Sequence, residues 1–554
     1  MKSNRFKVLN ERPVHNDGFV KEWQEAGFSA MESDFDPKPS IKIENDVVVE
    51  MDSKKRADFD FIDSFIADRS INLKLTEEAM AVDSIKYARD LCDINSDNKR
   101  LKELFSALTP AKLKEIVNHM NVVEMMMAMQ KMRERRIPSN QCHVTNLDDN
   151  PVQIACDAAE ATFRGFSETE TTVGVARYAP LCAVGLLIGS QVGRPGVLSQ
   201  CAVEEAVELK LGMKGLTTYA ETISVYGTEK VFIDGDDTPY SKAFLASAYA
   251  SRGMKMRCTS GTGSEVLMGN AEKKSMLYLE ARCLHVIKGA GVQGTQNGAI
   301  SCIGITGSVP SGIRAVLAEN LIAAMLGLEV ASGNDQTFSH SDIRRTGRML
   351  MQMLPGTDFI FSGYSSVPNY DNMFAGANFD AEDFDDYNVL QRDLMIDGGL
   401  KPVTEEDVIK VRTIAAKAVQ AVFKILGFPT VTDDQVFQAA YAHGSKDITA
   451  KRNVSEDLAA AEKLLNGDIT GIDIIQALNN SGFNNVAVSV FNMLKQRLSA
   501  DYLHTSSILD ENFKVNSSVN NPNDYNGPGT GYRVSGKRWE EIKNIKDEID
   551  PKNM

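Results

Sequence analysis

Seven widely spaced side chains, Gln141, His143, Glu170, Glu221, Gln296, Asp335 and Ser362, are of types that bind a cation or move a proton. Hard cations such as calcium or magnesium take about six to eight oxygens from carboxylates, amide carbonyls, hydroxyls and water. Two carboxylates, two amides and a hydroxyl from this set suit such an ion and leave room for substrate oxygens. His143 and Asp335 then remain to handle a proton or orient a hydroxyl. Taken singly, each residue also has a structural reading. A strand-end Gln or Ser satisfies backbone groups, a lone His is more often structural than catalytic, and Asp335 can cap a turn. Only convergence in space turns the set into a site, and convergence depends on the fold.

The fold is expected from the stretch 328–372, which reads as strand, loop, helix, strand, loop. The apolar run Leu328 to Ala331 breaks into Ser332-Gly333-Asn334-Asp335-Gln336, and Phe359 to Phe361 breaks into Ser362-Gly363-Tyr364. Between them Ile343, Gly347, Leu350 and Leu354 fall at helical spacing, closed by Pro355-Gly356. Buried parallel strands with polar residues at their carboxyl ends are how α/β barrels and doubly wound sheets present chemistry. Similar units begin near Asn140. Strands are expected at Gln141 to Val144, Thr171 to Ala176, Leu216 to Val225, Met254 to Cys258 and Ala299 to Gly304, with a weaker eighth at Leu394 to Ile396. Helices are expected at Pro151 to Arg164, Val203 to Met213, Thr238 to Gly253, Ser275 to Lys288, Ser311 to Leu326 and Glu405 to Phe423. About eight units over roughly 260 residues is the size of a (β/α)8 TIM barrel. A doubly wound sheet is the alternative. The barrel is favoured because polar residues recur at many strand ends, whereas a doubly wound sheet gathers its site at one switch point.

The expected organisation is an α/β chain in four parts. Residues 1–75 form an N-terminal arm, 76–139 a helical segment packing on the barrel, 140–428 the barrel with its site, and 429–554 a C-terminal helical extension and tail. A chain of 554 residues, 43% hydrophobic, buries a large core. Its net charge of -15 repels nucleic acid and anionic membranes, so neither is an expected partner. The amino terminus MKSNRFKVLNERPVHNDG lacks the apolar core of a secretion signal. Eight cysteines without a CxxC pair fit reduced thiols in a cytoplasm. Within the helical segment, Thr109-Pro110 is an N-cap and first-turn pair. The methionines between Met120 and Met132 fit a buried helix face better than a copper site, because adjacent methionines point in different directions.

Two further motifs are weak. Gly261-Thr262-Gly263-Ser264 has neither the lysine of a phosphate loop nor the third glycine of a dinucleotide fingerprint, and reads better as a turn lining a cofactor or ion cavity. The acidic run 378–387 lacks the ligand alternation of an EF-hand.

The segments QCHVTNLDDNPVQIA (141–155), YAETISVYGTE (219–229), SGTGSEVLMG (260–269), NDQTFSHSDIRRT (334–346) and SGYSSVPNYDNMFAG (362–376) carry a resemblance. Across essentially the whole chain it resembles the large subunit of the adenosylcobalamin-dependent glycerol and propane-1,2-diol dehydratases. Cys142, Leu267 and the wording FSHSDIRRT look more like the glycerol branch.

The resemblance implies a radical lyase in which adenosylcobalamin, coenzyme B12, supplies the organometallic step and a diol loses water to give an aldehyde. Mapped onto this chain it implies a substrate-site cation, K+ or Ca2+, held by Gln141, Glu170, Glu221, Gln296 and Ser362. His143 and Glu170 would contact the migrating hydroxyl, Asp335 would grip the other, and Phe374 would form a pocket wall. Ser224, Gly261 and Ser301 would contact the adenosyl group, and a second ion would sit near Gly261, Ser264, Glu265 and Glu280. The chain lacks a DxHxxG cobalamin motif, which implies a cofactor sandwiched against another chain. Medium and small subunits in a dimer of heterotrimers, a reactivating chaperone, and a cytoplasmic setting, free or inside a microcompartment, are further implications. Thr295 and Ile300 stand where the family pattern suggests leucine and valine, which bears on the choice between glycerol and propanediol. Outside the resemblance, two other classes fit the residues: a cofactor-free metal-dependent lyase on the same barrel, and a non-catalytic structural subunit.

Overall fold

The computed structural model describes residues 31–132, 140–144, 150–166, 168–172, 179–202, 208, 210–212, 214–217, 219–234, 237–251, 255–260, 271–292, 294–297, 309–334, 358–361, 401, 403–441 and 454–494. The chain is an α/β protein. An antiparallel sheet of β1 (Ile41–Glu44), β2 (Val47–Met51) and β3 (Lys54–Lys55) opens it. Helices α1 (Phe61–Phe65), α2 (Thr76–Ala81), α3 (Ser84–Cys92), α4 (Asn98–Phe105), α5 (Pro110–Asn118) and α6 (Val122–Met132) follow.

The N-terminal region shares one core with the rest of the chain and is clamped to what comes later. Val48, Met51, Ile62, Phe65 and Ile66 are buried within the same cluster as the rest of the chain. On α6, Met125, Met129 and Met132 are buried and Met127 is exposed, as expected of a helix packing one methionine face inward. Thr109 caps α5 by accepting from the Lys112 amide, with Pro110 in the first turn. Asp60 and Asp63 form a capping box on α1 and also receive Arg282, whose Nη2 lies 2.6 Å from Asp60 Oδ1 and 3.0 Å from Asp63 Oδ1. Burial pushes the Asp60 carboxyl upward, but the charges of Arg282 and Lys54 outweigh it and hold the group well below the usual range.

The main sheet has eight strands, all parallel: β4 (Asn140–His143), β5 (Glu168–Thr172), β6 (Leu198–Ala202), β7 (Tyr219–Val225), β8 (Lys255–Ser260), β9 (Gly294–Asn297), β10 (Glu329–Asn334) and β11 (Asp358–Phe361). Their order is β6-β5-β4-β11-β10-β9-β8-β7, and the two end strands, β6 and β7, also lie against each other. Between the strands run α7 (Pro151–Arg164), α8 (Ala179–Gly193), α9 (Glu229–Asp234), α10 (Pro239–Ser251), α11 (Met276–Gly289) and α12 (Val309–Met325). Buried parallel strands are ordinarily near-continuous aliphatic runs. Here β4 reads NQCH, β5 ETETT and β9 GTQN. A sheet that carries so many hydrogen-bonding side chains must give them partners.

Three elements differ from the sequence expectation. β6 has no counterpart among the expected strands, because LSQCA has neither alternation nor an aliphatic run; the expected strand Leu394 to Ile396 lies outside the described residues. The expected fifth strand, Ala299 to Gly304, also lies outside them, and β9 runs instead through the glycine-rich stretch just before it. The long helix α8 was not expected either. Its Gly185, Gly189 and Gly193 look like breaks in sequence, yet a Cβ at each would collide with the carbonyl oxygens of Pro151, Ala155 and Ala159 on α7. The four-residue spacing matches on both helices, so the glycines form the groove in which α7 lies.

C-terminal to the sheet come α13 (Glu405–Leu426), α14 (Asp433–Tyr441), α15 (Val454–Asn466), α16 (Gly471–Asn480) and α17 (Asn484–Leu494); α13 packs on α7 and α8, α14 on α7, α15 and α17 on α8, and α16 on α13 and α17. α13 is capped by Thr404 and stopped by Gly427 in the left-handed region, φ 67°. It is fastened by Arg412, fully buried, whose Nη1 donates to Asp157 Oδ1 at 2.7 Å and Glu160 Oε2 at 2.9 Å, and whose Nη2 donates to the Ala439 carbonyl at 2.8 Å.

Candidate functional site

The parallel registers bring Gln141, His143 and Glu170 together on two neighbouring strands. His143 on β4 is the register partner of Glu170 on β5, which is the partner of Gln200 on β6. Gln141 lies one pair earlier in the same strand, opposite Glu168 on one side and Ile360 of β11 on the other. A second row runs Ser224, Thr259, Gln296, Ala331, Asp358 across β7 to β11. Adjacent strands lie about 4.8 Å apart, so Ser224 and Gln296, two strands apart, have backbones roughly 10 Å from one another. Glu221 falls inside β7 at a register irregularity between Ala220 and Ile223. Such irregularities re-aim side chains and are common beside functional sites.

Asp335 follows Asn334, the last residue of β10, and Ser362 follows Phe361, the last residue of β11. Both lie outside the described residues, as do Gly261, Ser264, Glu265, Ile300, Ser301, Phe374, the expected helix through Ile343 to Leu354, the acidic run 378–387 and the tail 516–532. Gln200 is the residue that sequence reasoning overlooks. Its strand gives no periodic signal, and only the pairing of β5 with β6 puts it beside Glu170.

The backs of these strands are held rigidly by ordinary means. Thr169, between Glu168 and Glu170, shares a 2.7 Å hydrogen bond with Ser190 of α8. Beyond β7, the Gly227 carbonyl accepts from Arg282, and a Cβ at Gly227 would collide with Leu279 of α11. α11 begins at Ser275, whose hydroxyl accepts from the Tyr278 amide. Glu280 on this helix is fully buried, as is Glu319 on α12. Among the described residues no helix is long and apolar enough to cross a membrane, and no three His, Cys, Asp or Glu side chains gather as a metal cluster.

A parallel sheet whose strands carry histidine and glutamate in register on β4 and β5, with glutamate on β7 and glutamine on β9, is that of an α/β protein. The chain matches the family model described as dehydratase large subunit over residues 1–553, and it belongs to that family, as an enzyme subunit of the hydro-lyase class. It is 68% identical over 550 residues, 99% of each chain, to the glycerol dehydratase large subunit of Citrobacter freundii. That relative's name is of the branch to which Cys142, Leu267 and FSHSDIRRT pointed.

Proposed function

We propose that this chain is the catalytic large subunit of an adenosylcobalamin-dependent glycerol dehydratase, converting glycerol to 3-hydroxypropionaldehyde and water, with propane-1,2-diol to propanal as a second reaction. The observation that carries the reading is the polar row His143–Glu170 beside Gln141, inside a parallel sheet that would ordinarily be aliphatic. We read the sheet as a closed (β/α)8 barrel. Its strand order is cyclically consecutive without the reversal of a doubly wound sheet, and its end strands touch.

In this reading Gln141, Glu170, Glu221, Gln296 and Ser362 hold K+ or Ca2+. The donor set fits such an ion: every member offers oxygen, and the two carboxylates balance a divalent charge. The diol's hydroxyls complete the shell, which fixes both oxygens for reaction. Glu170 and His143 contact the migrating hydroxyl, and a proton held at the imidazole favours its departure from carbon. Asp335 accepts a hydrogen bond from the spectator hydroxyl, and Phe374 walls the pocket. Adenosylcobalamin, when bound, supplies the radical that takes and returns hydrogen. Ser224, Gly261 and Ser301 would face the adenosyl group, and Ser224 shares its register row with Gln296. A second ion near Gly261, Ser264, Glu265 and Glu280 belongs to the same reading. The family's designation as a large subunit supports medium and small partner subunits, here in a dimer of heterotrimers with a reactivating chaperone, in the cytoplasm or a microcompartment.

The test is an anaerobic assay of the co-expressed subunits with adenosylcobalamin and glycerol. Aldehyde is expected, and its absence overturns the proposal. Glu170→Gln and Asp335→Asn are each expected to lower kcat by about 10²–10⁴. Ile300→Val removes a methylene beside the substrate and is expected to shift the glycerol to propanediol preference by about 1–3 kcal/mol.

A further inference from the structure

Strand β7 carries Glu221 and Ser224 and ends at Val225, and the turn after it is held from two sides. On one side is α11. Its Cys283 places Sγ 3.7 Å from the Val225 carbonyl oxygen, and its Arg282 donates Nη1 to the Gly227 carbonyl. On the other side is α1. Its Phe61 meets Phe232 of α9 edge-on at 5.8 Å, and Phe232 meets the buried Tyr226 edge-on at 5.7 Å. The Phe61 amide also donates to Glu229 Oε1 at 3.1 Å. Connections between a strand and a helix ordinarily run over the surface and move more than the elements they join. This one is gripped by a helix of the N-terminal region and a helix of the sheet's own outer layer.

Arg282 joins the two grips. Its Nη2 lies 2.6 and 2.7 Å from the two Asp60 oxygens and 3.0 Å from Asp63 Oδ1, residues that stand 222 and 219 positions earlier in the chain. A guanidinium is a rigid planar fork, so the carboxylates that hold one branch also fix where the other points. Gly227 has no room to yield toward α11, since a Cβ there would stand 2.7 Å from Cβ and the carbonyl oxygen of Leu279. We propose that Arg282 is a positioning residue for the cofactor side of the site: held by Asp60 and Asp63, it fixes the turn 226–228 and, through it, the end of β7 that presents Ser224. The proposal rests on the dehydratase reading, which sets Ser224 against the adenosyl group. Arg282 acts through the Gly227 carbonyl, three residues beyond Ser224, and the N-terminal region is thereby part of what sets the site.

The experiment titrates the co-purified subunit complex with adenosylcobalamin and, separately, with cyanocobalamin, which carries cyanide in place of the adenosyl group, and records binding by absorbance together with the melting temperature. Arg282→Lys keeps the charge that Asp60 and Asp63 require but has a single ammonium where the guanidinium uses two branches, so it releases Gly227. Its affinity for adenosylcobalamin is expected to fall about 10- to 100-fold, with affinity for cyanocobalamin unchanged. Gly227→Ala disturbs the same turn through Leu279 while leaving the ion pairs intact, and should show the same selective loss. Glu229→Ala should show a smaller one, and Glu229→Gln, which keeps an oxygen for the Phe61 amide, should restore the wild-type ratio. Leu91→Ala is the destabilised control: Leu91 is buried on α3, which packs on α5 and α6, so the melting temperature should fall while the ratio of the two affinities stays that of the wild type. If Arg282→Lys does not assemble, Gly227→Ala and the Glu229 pair decide the matter. Variants of the turn that lose stability but keep the wild-type ratio, as Leu91→Ala does, or that lose both cobalamins equally, make the joint structural only and overturn the proposal. A wild-type complex that binds no adenosylcobalamin overturns the dehydratase reading, whereas wild-type binding with an unchanged ratio in the variants overturns this proposal alone.

Discussion

Arg412 and Glu319 are both charged and fully buried on helices packed around the same sheet, but their surroundings differ in sign. Around Arg412, Asp157 and Glu160 sit within 2.9 Å, Arg164 Nη2 lies 3.0 Å from the other Glu160 oxygen, and the Ala439 carbonyl takes the remaining donors. Every charge there has an opposite, and the cluster ties α13 and α14 to α7. Around Glu319 the neighbouring charge is of like sign. The first arrangement is complete within the chain and so is structural. The second is not balanced by an opposite charge, and burial there favours the protonated carboxyl.

The contrast breaks first at Arg412. Arg412→Met removes the cation and leaves Asp157 and Glu160 buried, so the unfolding midpoint in denaturant should fall by the equivalent of about 3–5 kcal/mol. Glu319→Gln should cost little, because burial already favours the neutral carboxyl and the amide is nearly isosteric. A strongly destabilised Glu319→Gln and an unaffected Arg412→Met would invert the comparison and sink it.

Asp52 stands between the two cases. Its Oδ2 accepts from the Ala111 amide at 3.0 Å at the start of α5, while burial pushes its carboxyl up to about 7. The folded chain therefore holds its proton more tightly than the unfolded chain, whose value is near 3.8. The associated stability is present below about pH 4 and is lost as the pH rises through 7. Asn at this position keeps the carbonyl acceptor and tolerates the left-handed φ of 48°. Asp52→Asn should accordingly gain on the wild type as the pH rises from 4 to 8, by at most about 4 kcal/mol. Thermal melts across that range check it, and parallel pH curves for the two proteins would refute it.

The next effect sharpens the packing side. Gly189→Ala adds a Cβ against the Ala155 carbonyl, a backbone atom that cannot swing away, and should cost about 1–3 kcal/mol in the same denaturation assay.

These residues also show what the sequence could and could not say. Some helix starts were legible: Thr109-Pro110 caps as its residue types suggest, and the helices expected from Pro151 and Ser275 begin at or next to those residues. α8 was not legible, because its glycines mean close helix contact only once α7 is known to lie against them. β6 and β9 were hidden by the same property that makes the sheet interesting, since strands of Gln, Ser, Thr and Gly give no hydrophobic period. The candidate residues Gln141, His143, Glu170, Glu221 and Gln296 were found by type and by resemblance, while their register rows required the pairings. Glu319 was unreadable, because a lone glutamate in an apolar helix carries no mark of whether its neighbour is a cation or another carboxylate.

The smallest effect is expected at an ion pair that looks strong on distance alone. Arg100 Nη2 lies 2.5 Å from Glu78 Oε1 and 2.6 Å from Oε2, and Glu103 is also within reach at 3.2 Å. Both partners are open to water, with 40% and 56% of their side-chain surface exposed. In water the attraction is screened, both long side chains lose freedom in meeting, and Arg100 keeps Glu103 when Glu78 is neutralised. Glu78→Gln should therefore shift the denaturation midpoint less than any variant above, and added salt should erase what shift there is. A loss as large as that of Arg412→Met would mean that distance rather than burial sets the worth of a charge pair here, and the distinction between the Arg412 cluster and Glu319 would lose its physical basis.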